Sequence, residues 1–134
     1  MHMCGCVRAF LPRLIELGLD VYDVVQPTTP EMDIEVLRND FGNKLTFCGS
    51  VCVQSTLAFG RVDDVVKEVK RRQGLFPKGG LFLGPTHAIQ VGTPIENIVA
   101  LYKTAGSLVA HVDESILSIK TGKEAGEINM SKLF

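Results

Sequence analysis

The sequence has almost no excess charge. Fourteen Lys and Arg against fifteen Asp and Glu leave a formal net charge of −1, which gives no bulk attraction to nucleic acid or to an anionic membrane surface. Long apolar runs are also missing, and none reaches the length of a membrane span. The N-terminus lacks the basic-then-apolar pattern of a secretory signal. No Gly-x-Gly-x-x-Gly follows a strand and no Gly-x-x-x-x-Gly-Lys is present, so nucleotide binding has little support. What the chain does have is apolar substance. Its 134 residues are 46% hydrophobic, enough for the core of one domain and against disorder. Such a chain does not need disulfide staples, so its four cysteines read as free thiols in a reducing cytoplasm.

Short apolar segments alternate with amphipathic ones. A helix is expected from about Val7 to Leu17, with Leu11, Leu14, Ile15 and Leu17 as its stripe and Gly18 as its stop. Val21–Val25 reads as a strand. A helix follows from Asp33, its N-cap, to Phe41, stopped by Gly42. Leu45–Cys48 is the next strand and opens into Gly49–Gln54. Val62–Gln73 is a helix with Val62, Val65, Val66 and Val69 buried, and with Lys67, Lys70, Arg71 and Arg72 facing water. Leu81–Leu83 is a third strand, and Pro94 to about Ala105 a helix with proline in its first turn. Ser107–Ile119 reads as helix or strand, Lys120–Phe134 as a polar tail, and His111 as a surface residue. This is an α/β pattern, with parallel strands alternating with covering helices. It fits an open doubly wound sheet or part of a (β/α)8 barrel, which typically needs about 250 residues.

In such folds the chemistry sits where strands end. Pro85-Thr86-His87-Ala88-Ile89-Gln90 places a histidine at one strand mouth. His2-Met3-Cys4-Gly5, Gln26-Pro27 and Cys48-Gly49-Ser50-Val51-Cys52-Val53-Gln54 sit at what read as other mouths, although no strand precedes the first of these. In this order, with Thr93-Pro94-Ile95-Glu96-Asn97-Ile98 behind them, the motifs resemble the C-terminal half of the uroporphyrinogen decarboxylase superfamily. That superfamily includes corrinoid-dependent methyltransferases such as methylcobamide:coenzyme M methyltransferase. The resemblance runs from the first residues to about Ala105. It implies the C-terminal half of a TIM (β/α)8 barrel over 1–106, with 107–134 as a C-terminal extension.

The two branches imply different chemistry. Decarboxylases resemble the chain at His87, where they keep a histidine in the tetrapyrrole cleft. Methyltransferases resemble it at His2 and Cys4, where His-x-Cys supplies two zinc ligands and a later cysteine the third. Here His87 stands near the place of that cysteine. The implied metal set is therefore His2, Cys4 and His87, with Cys52 or Cys48 as alternative third ligand, and His87 as the catalytic candidate. Gln26, Gln54 and Gln90 are candidate substrate-binding residues.

Zinc also has a physical argument. An imidazole and a thiolate two residues apart on extended backbone point to one side. Three protein ligands leave a fourth position, where a substrate thiol becomes a nucleophile toward a methyl group on a corrinoid. Plainer readings stand beside these. His2 and Cys4 also fit a frayed end, Cys6 a helix start and Cys48 a strand interior. His87 suits a hydrogen-bonded loop, and the glutamines suit backbone groups at loop ends.

Three functions follow. One is zinc-dependent methyl transfer between a corrinoid and a thiol. Another is decarboxylation of tetrapyrrole acetate groups in porphyrin biosynthesis. The last is a non-catalytic half-barrel fragment or interaction subunit. A half barrel exposes sheet edges and part of its interior, so self-association as a homodimer, or pairing with a separate N-terminal half, is expected, with a corrinoid protein as a further partner. Without its other half the chain is expected to be inactive.

Overall fold

A computed structural model describes residues 1–106. The expectations for 107–134, including the extension and His111, lie outside the described residues. The elements run α1 (Leu11–Glu16), β1 (Val21–Val25), α2 (Ile34–Phe41), β2 (Thr46–Val51), α3 (Thr56–Phe59), α4 (Val62–Leu75), β3 (Leu81–Pro85) and α5 (Ile95–Thr104). The three strands form one parallel sheet in the order β1-β2-β3.

Local chemistry sets several of these borders. The Asp33 carboxylate accepts the backbone N–H groups of Glu35 (2.8 Å) and Val36 (3.3 Å), satisfying donors that the start of α2 leaves free. At the start of α4, the Asp64 carboxylate accepts the Arg61 backbone N–H at 2.8 Å, the reciprocal half of a capping box. Buried Asn97 donates to the carbonyls of Leu57 (3.0 Å) and Gly60 (2.8 Å), which ties the first turn of α5 to α3.

Among the described residues, one face of the sheet is packed and the other is largely uncovered. Tyr22 and Phe47 point into a core with Leu11, Ile34 and Leu37. A second cluster joins Val51 and Val53 to Leu57, Val65, Val69 and Leu101. Alternation along the strands puts Val21, Asp23, Cys48 and Phe82 on the opposite face, where Phe82 is 63% exposed.

Several expectations need correction. The first helix is shorter: Arg8–Phe10 is a 3-10 turn, the α-helix begins at Leu11, and Leu17 lies 69% exposed. The second strand runs on through Gly49, Ser50 and Val51, each paired to β3, so these residues are strand and not mouth. The third reaches Pro85, and α3 was not anticipated. Val62 is exposed. Arg72 does not face water. It is 1% exposed, pairs with Glu68 and donates to the Ser50 carbonyl at 3.3 Å. The reason is periodic: Val65, Val69 and Arg72 occupy i, i+4 and i+7, so the buried stripe of α4 runs through Arg72. Burial pulls its guanidinium below the ordinary pKa, and Glu68 opposes that shift.

Candidate metal centre

The first three residues are not frayed. Met3 N–H donates to the Asp23 carbonyl (2.6 Å), and Asp23 N–H donates to the Met1 carbonyl (3.0 Å). This lays the arm parallel to β1, with His2 opposite Asp23. The buried Tyr22 hydroxyl holds the arm from below, donating to the Met3 carbonyl at 2.9 Å. Burial raises the Tyr22 pKa to about 12, with the charges of Cys4 and Asp23 adding to the shift, so the phenol keeps the proton that makes this bond.

Opposite partners in neighbouring strands share a face, and the His2 and Asp23 side chains meet: Nδ1 lies 2.7 Å from the Asp23 carboxylate. That contact fixes the ring and turns Nε2 toward Cys4, whose Sγ lies 3.5 Å away. His87 arrives from the far side of the sheet. Its predecessor Thr86 is buried, with its N–H donating to the Val51 carbonyl (2.9 Å) and its hydroxyl accepting the Val53 N–H (3.2 Å). The end of β3 is thereby clamped to the end of β2. The His87 ring meets that of His2 edge-on, with centroids 5.7 Å apart and an interplanar angle of 76°.

One ligand atom from each of His2, Cys4 and His87 lies within 4.8 Å of the other two, and all three residues are exposed. A tetrahedral zinc with roughly 2.0–2.3 Å bonds to nitrogen and sulfur sets ligand atoms roughly 3.3–3.8 Å apart. The Cys4–His2 separation already falls in that range, and the other pairs need at most about an ångström of side-chain adjustment. The donor set, one thiol and two imidazoles, suits zinc, and the Asp23–His2 contact is the outer-shell pairing common at zinc histidines.

The three residues stand at the edge of a cleft of about 340 Å³ lined by Cys4, Gln26, Val53, Gln54, Thr86, His87 and Gln90. The Gln26 side-chain carbonyl accepts the Gly5 N–H (3.2 Å), and its amide N–H donates to the Gln54 side-chain carbonyl (2.9 Å). The Gln90 amide donates to the Ala88 carbonyl at 2.7 Å.

The model of the uroporphyrinogen decarboxylase (URO-D) family matches residues 1–108, which include every residue of this site. The chain belongs to the uroporphyrinogen decarboxylase family. No curated protein and no solved structure matches it.

In this URO-D family chain the alternative cysteines do not join the metal group. Cys52 is buried; its Sγ lies 3.8 Å from the Thr28 hydroxyl and accepts the Gln54 N–H at 3.4 Å. The half-buried Cys48 thiol sits on the opposite sheet face, and burial, reinforced by the charge of Asp23, raises its pKa, which disfavours the thiolate a metal needs. Cys6 is exposed and outside the group. All four cysteines are free thiols. Asp23 and Thr86 were not singled out from sequence. Asp23 carried a signal, being the one charged residue inside the apolar strand Val21–Val25.

Among the described residues, no helix is long and apolar enough to cross a membrane.

Proposed function

We propose that this chain carries a zinc-dependent methyl-transfer site, in which a substrate thiol takes a methyl group from a corrinoid. One observation supports this reading above the rest. Asp23 aims the Nε2 of His2 at the place where Cys4 and His87 also present donor atoms. His2, Cys4 and His87 would hold the zinc ion, Asp23 orients His2, and the glutamines of the cleft would position what lies beside it. The ion would supply the charge that keeps a substrate thiol as thiolate near neutral pH, its proton going to solvent, and a corrinoid would supply the methyl group and keep the electron pair of the carbon–cobalt bond.

In this reading residues 1–106 are part of a (β/α)8 barrel in a cytoplasmic enzyme. The largely uncovered face carrying Phe82 is interior that a separate N-terminal half, or a second copy, closes. Turnover waits on that closure, but metal binding does not, so zinc is the first test. Purified chain loaded with zinc and desalted is expected to retain about one zinc per chain by elemental analysis, with Cys4→Ser retaining little. Zinc content equal in wild type, Cys4→Ser and His87→Ala overturns the reading.

Family membership favours a second reading, decarboxylation of tetrapyrrole acetate groups with His87 in the cleft. It predicts porphyrinogen binding that depends on His87 and ignores chelators. This chain's share of the cleft presents amides, a hydroxyl, a thiol, an imidazole and one valine, so in this reading the positive charge for a porphyrinogen's carboxylates comes from the part of the barrel that closes it.

A further inference from the structure

The amides of the cleft have a direction. Gly5 N–H can only donate, so the oxygen of the Gln26 side chain faces it and the Gln26 nitrogen faces outward. That nitrogen donates to the oxygen of Gln54, which leaves the Gln54 –NH2 as the end of the relay, without a partner among the described residues. The Ala88 carbonyl can only accept, so the Gln90 nitrogen faces it and the Gln90 side-chain oxygen is left over. Two backbone groups thus fix three side-chain amides, and the unused ends are a donor at Gln54 and an acceptor at Gln90.

These two ends share a wall. Gln54 and Gln90 both line the cleft beside His87, and both line an adjoining apolar hollow of about 390 Å³ with Phe59 and Val91. Phe59 is 85% exposed. A donor and an acceptor on one wall, with no charged side chain among the described residues that line either hollow, complement a neutral group that carries both complements: a carbonyl oxygen for Gln54 and an N–H for Gln90. A carboxylate satisfies only the first, and an ammonium only the second. A primary carboxamide satisfies both.

We infer that Gln54 and Gln90 form a primary-carboxamide subsite that seats a peripheral amide arm of the corrinoid, with the apolar hollow taking part of the macrocycle's edge. The inference rests on the methyl-transfer reading for the identity of the ligand. The relay through Gln26 to Gly5 also ties this subsite to the arm that carries Cys4. Gln54 is a binding residue here; it touches no reacting atom.

The test is a titration of the zinc-loaded chain with methylcobinamide, whose periphery carries primary carboxamides, followed by its visible absorbance. The discriminating variant is Gln54→Glu. Its carboxylate still accepts from Gln26, so the relay survives, but the free donor becomes an acceptor. Saturable binding by wild type, and binding up to about tenfold weaker in Gln54→Glu at unchanged zinc content, is expected for one lost hydrogen bond. A corrinoid analogue with methyl esters in place of the amides keeps the carbonyl oxygens but has no N–H for Gln90, and wild type is expected to bind it at least as weakly. Equal affinity of wild type and Gln54→Glu for methylcobinamide overturns the subsite and leaves methyl transfer standing, as does equal affinity of wild type for amide and ester. No binding of methylcobinamide by zinc-loaded wild type overturns both.

Discussion

The Nδ1 of His2 and the carboxylate of Asp23 lie 2.7 Å apart, joined across a parallel bridge between the N-terminal arm and β1. The pair is half exposed, so as an isolated ion pair it contributes little to stability. Its consequence is orientation, because the ring is held with Nε2 facing Cys4. Asp23→Asn keeps the shape but offers a weaker and ambiguous partner to Nδ1. Zinc affinity is expected to fall about 10- to 100-fold, while the urea midpoint moves little. Competition against a chromophoric chelator measures the first, and circular dichroism the second. An unchanged zinc affinity means that the contact is only a surface pair.

Cys4 and Cys52 should separate cleanly. Cys4 Sγ is exposed and belongs to the three-residue group, whereas Cys52 Sγ is buried against Thr28 and the Gln54 N–H. Cys4→Ser is expected to abolish stoichiometric zinc. Cys52→Ala is expected to leave zinc at about one per chain and to cost about 1–2 kcal/mol of stability through a small cavity and a lost N–H partner. Elemental analysis and urea unfolding of the two variants check this. Zinc lost from Cys52→Ala at intact fold makes Cys52 a ligand.

What the sequence disclosed and withheld follows from range. Helices with local signals were legible: Asp33 caps α2 within its own first turn, and the valine stripe of α4 shows over two turns. The motif residues His2, Cys4 and His87 stood out by type and by their places near strand ends. Asp23 shows only as a lone charge in an apolar strand, because its partner lies 21 residues away and no local pattern announces a parallel bridge. Arg72 was misjudged through its neighbours. A run of Lys and Arg reads as a wet face, yet the helical spacing from Val65 and Val69 points inward. Gly49 and Ser50 read as loop by residue type, and both do take positive φ, 84° and 80°, which strand residues rarely do. The ladder to β3 continues through them all the same.

Tyr22 makes an alkaline prediction. Its phenol is buried, donates to the Met3 carbonyl, and has its pKa raised to about 12. In the unfolded chain a tyrosine ionises near about 10. The folded state therefore holds the proton more tightly, and the stability tied to it is complete below pH about 10 and is lost as pH rises toward about 12. Tyr22→Phe is expected to be less stable at neutral pH by about 1 kcal/mol and to show a shallower decline across that alkaline window. Urea midpoints measured from pH 8 to 12 for both proteins check it. Parallel declines remove Tyr22 as the cause.

Gly49 leaves no room for a side chain, and it gives the sharpest stability contrast. A Cβ there would lie 2.2 Å from Cγ2 of Val24 and 3.1 Å from the Pro85 carbonyl, at φ +84°. Gly18 has a similar φ of +93° with nothing within 4 Å. Alanine at Gly18 therefore meets only backbone strain, about 1–2 kcal/mol. At Gly49 it meets the same strain and also overlap with a buried valine on the neighbouring strand, about 1–3 kcal/mol more. Gly49→Ala must either push β1 from β2 or bend the end of β2, and Thr86 hangs from that end through the Val51 carbonyl and the Val53 N–H. Loss of stability in Gly49→Ala should exceed that in Gly18→Ala, and only Gly49→Ala should lower zinc affinity, because only it disturbs the clamp that carries His87. Equal stability losses with equal zinc binding show that the strand end yields without moving the histidine.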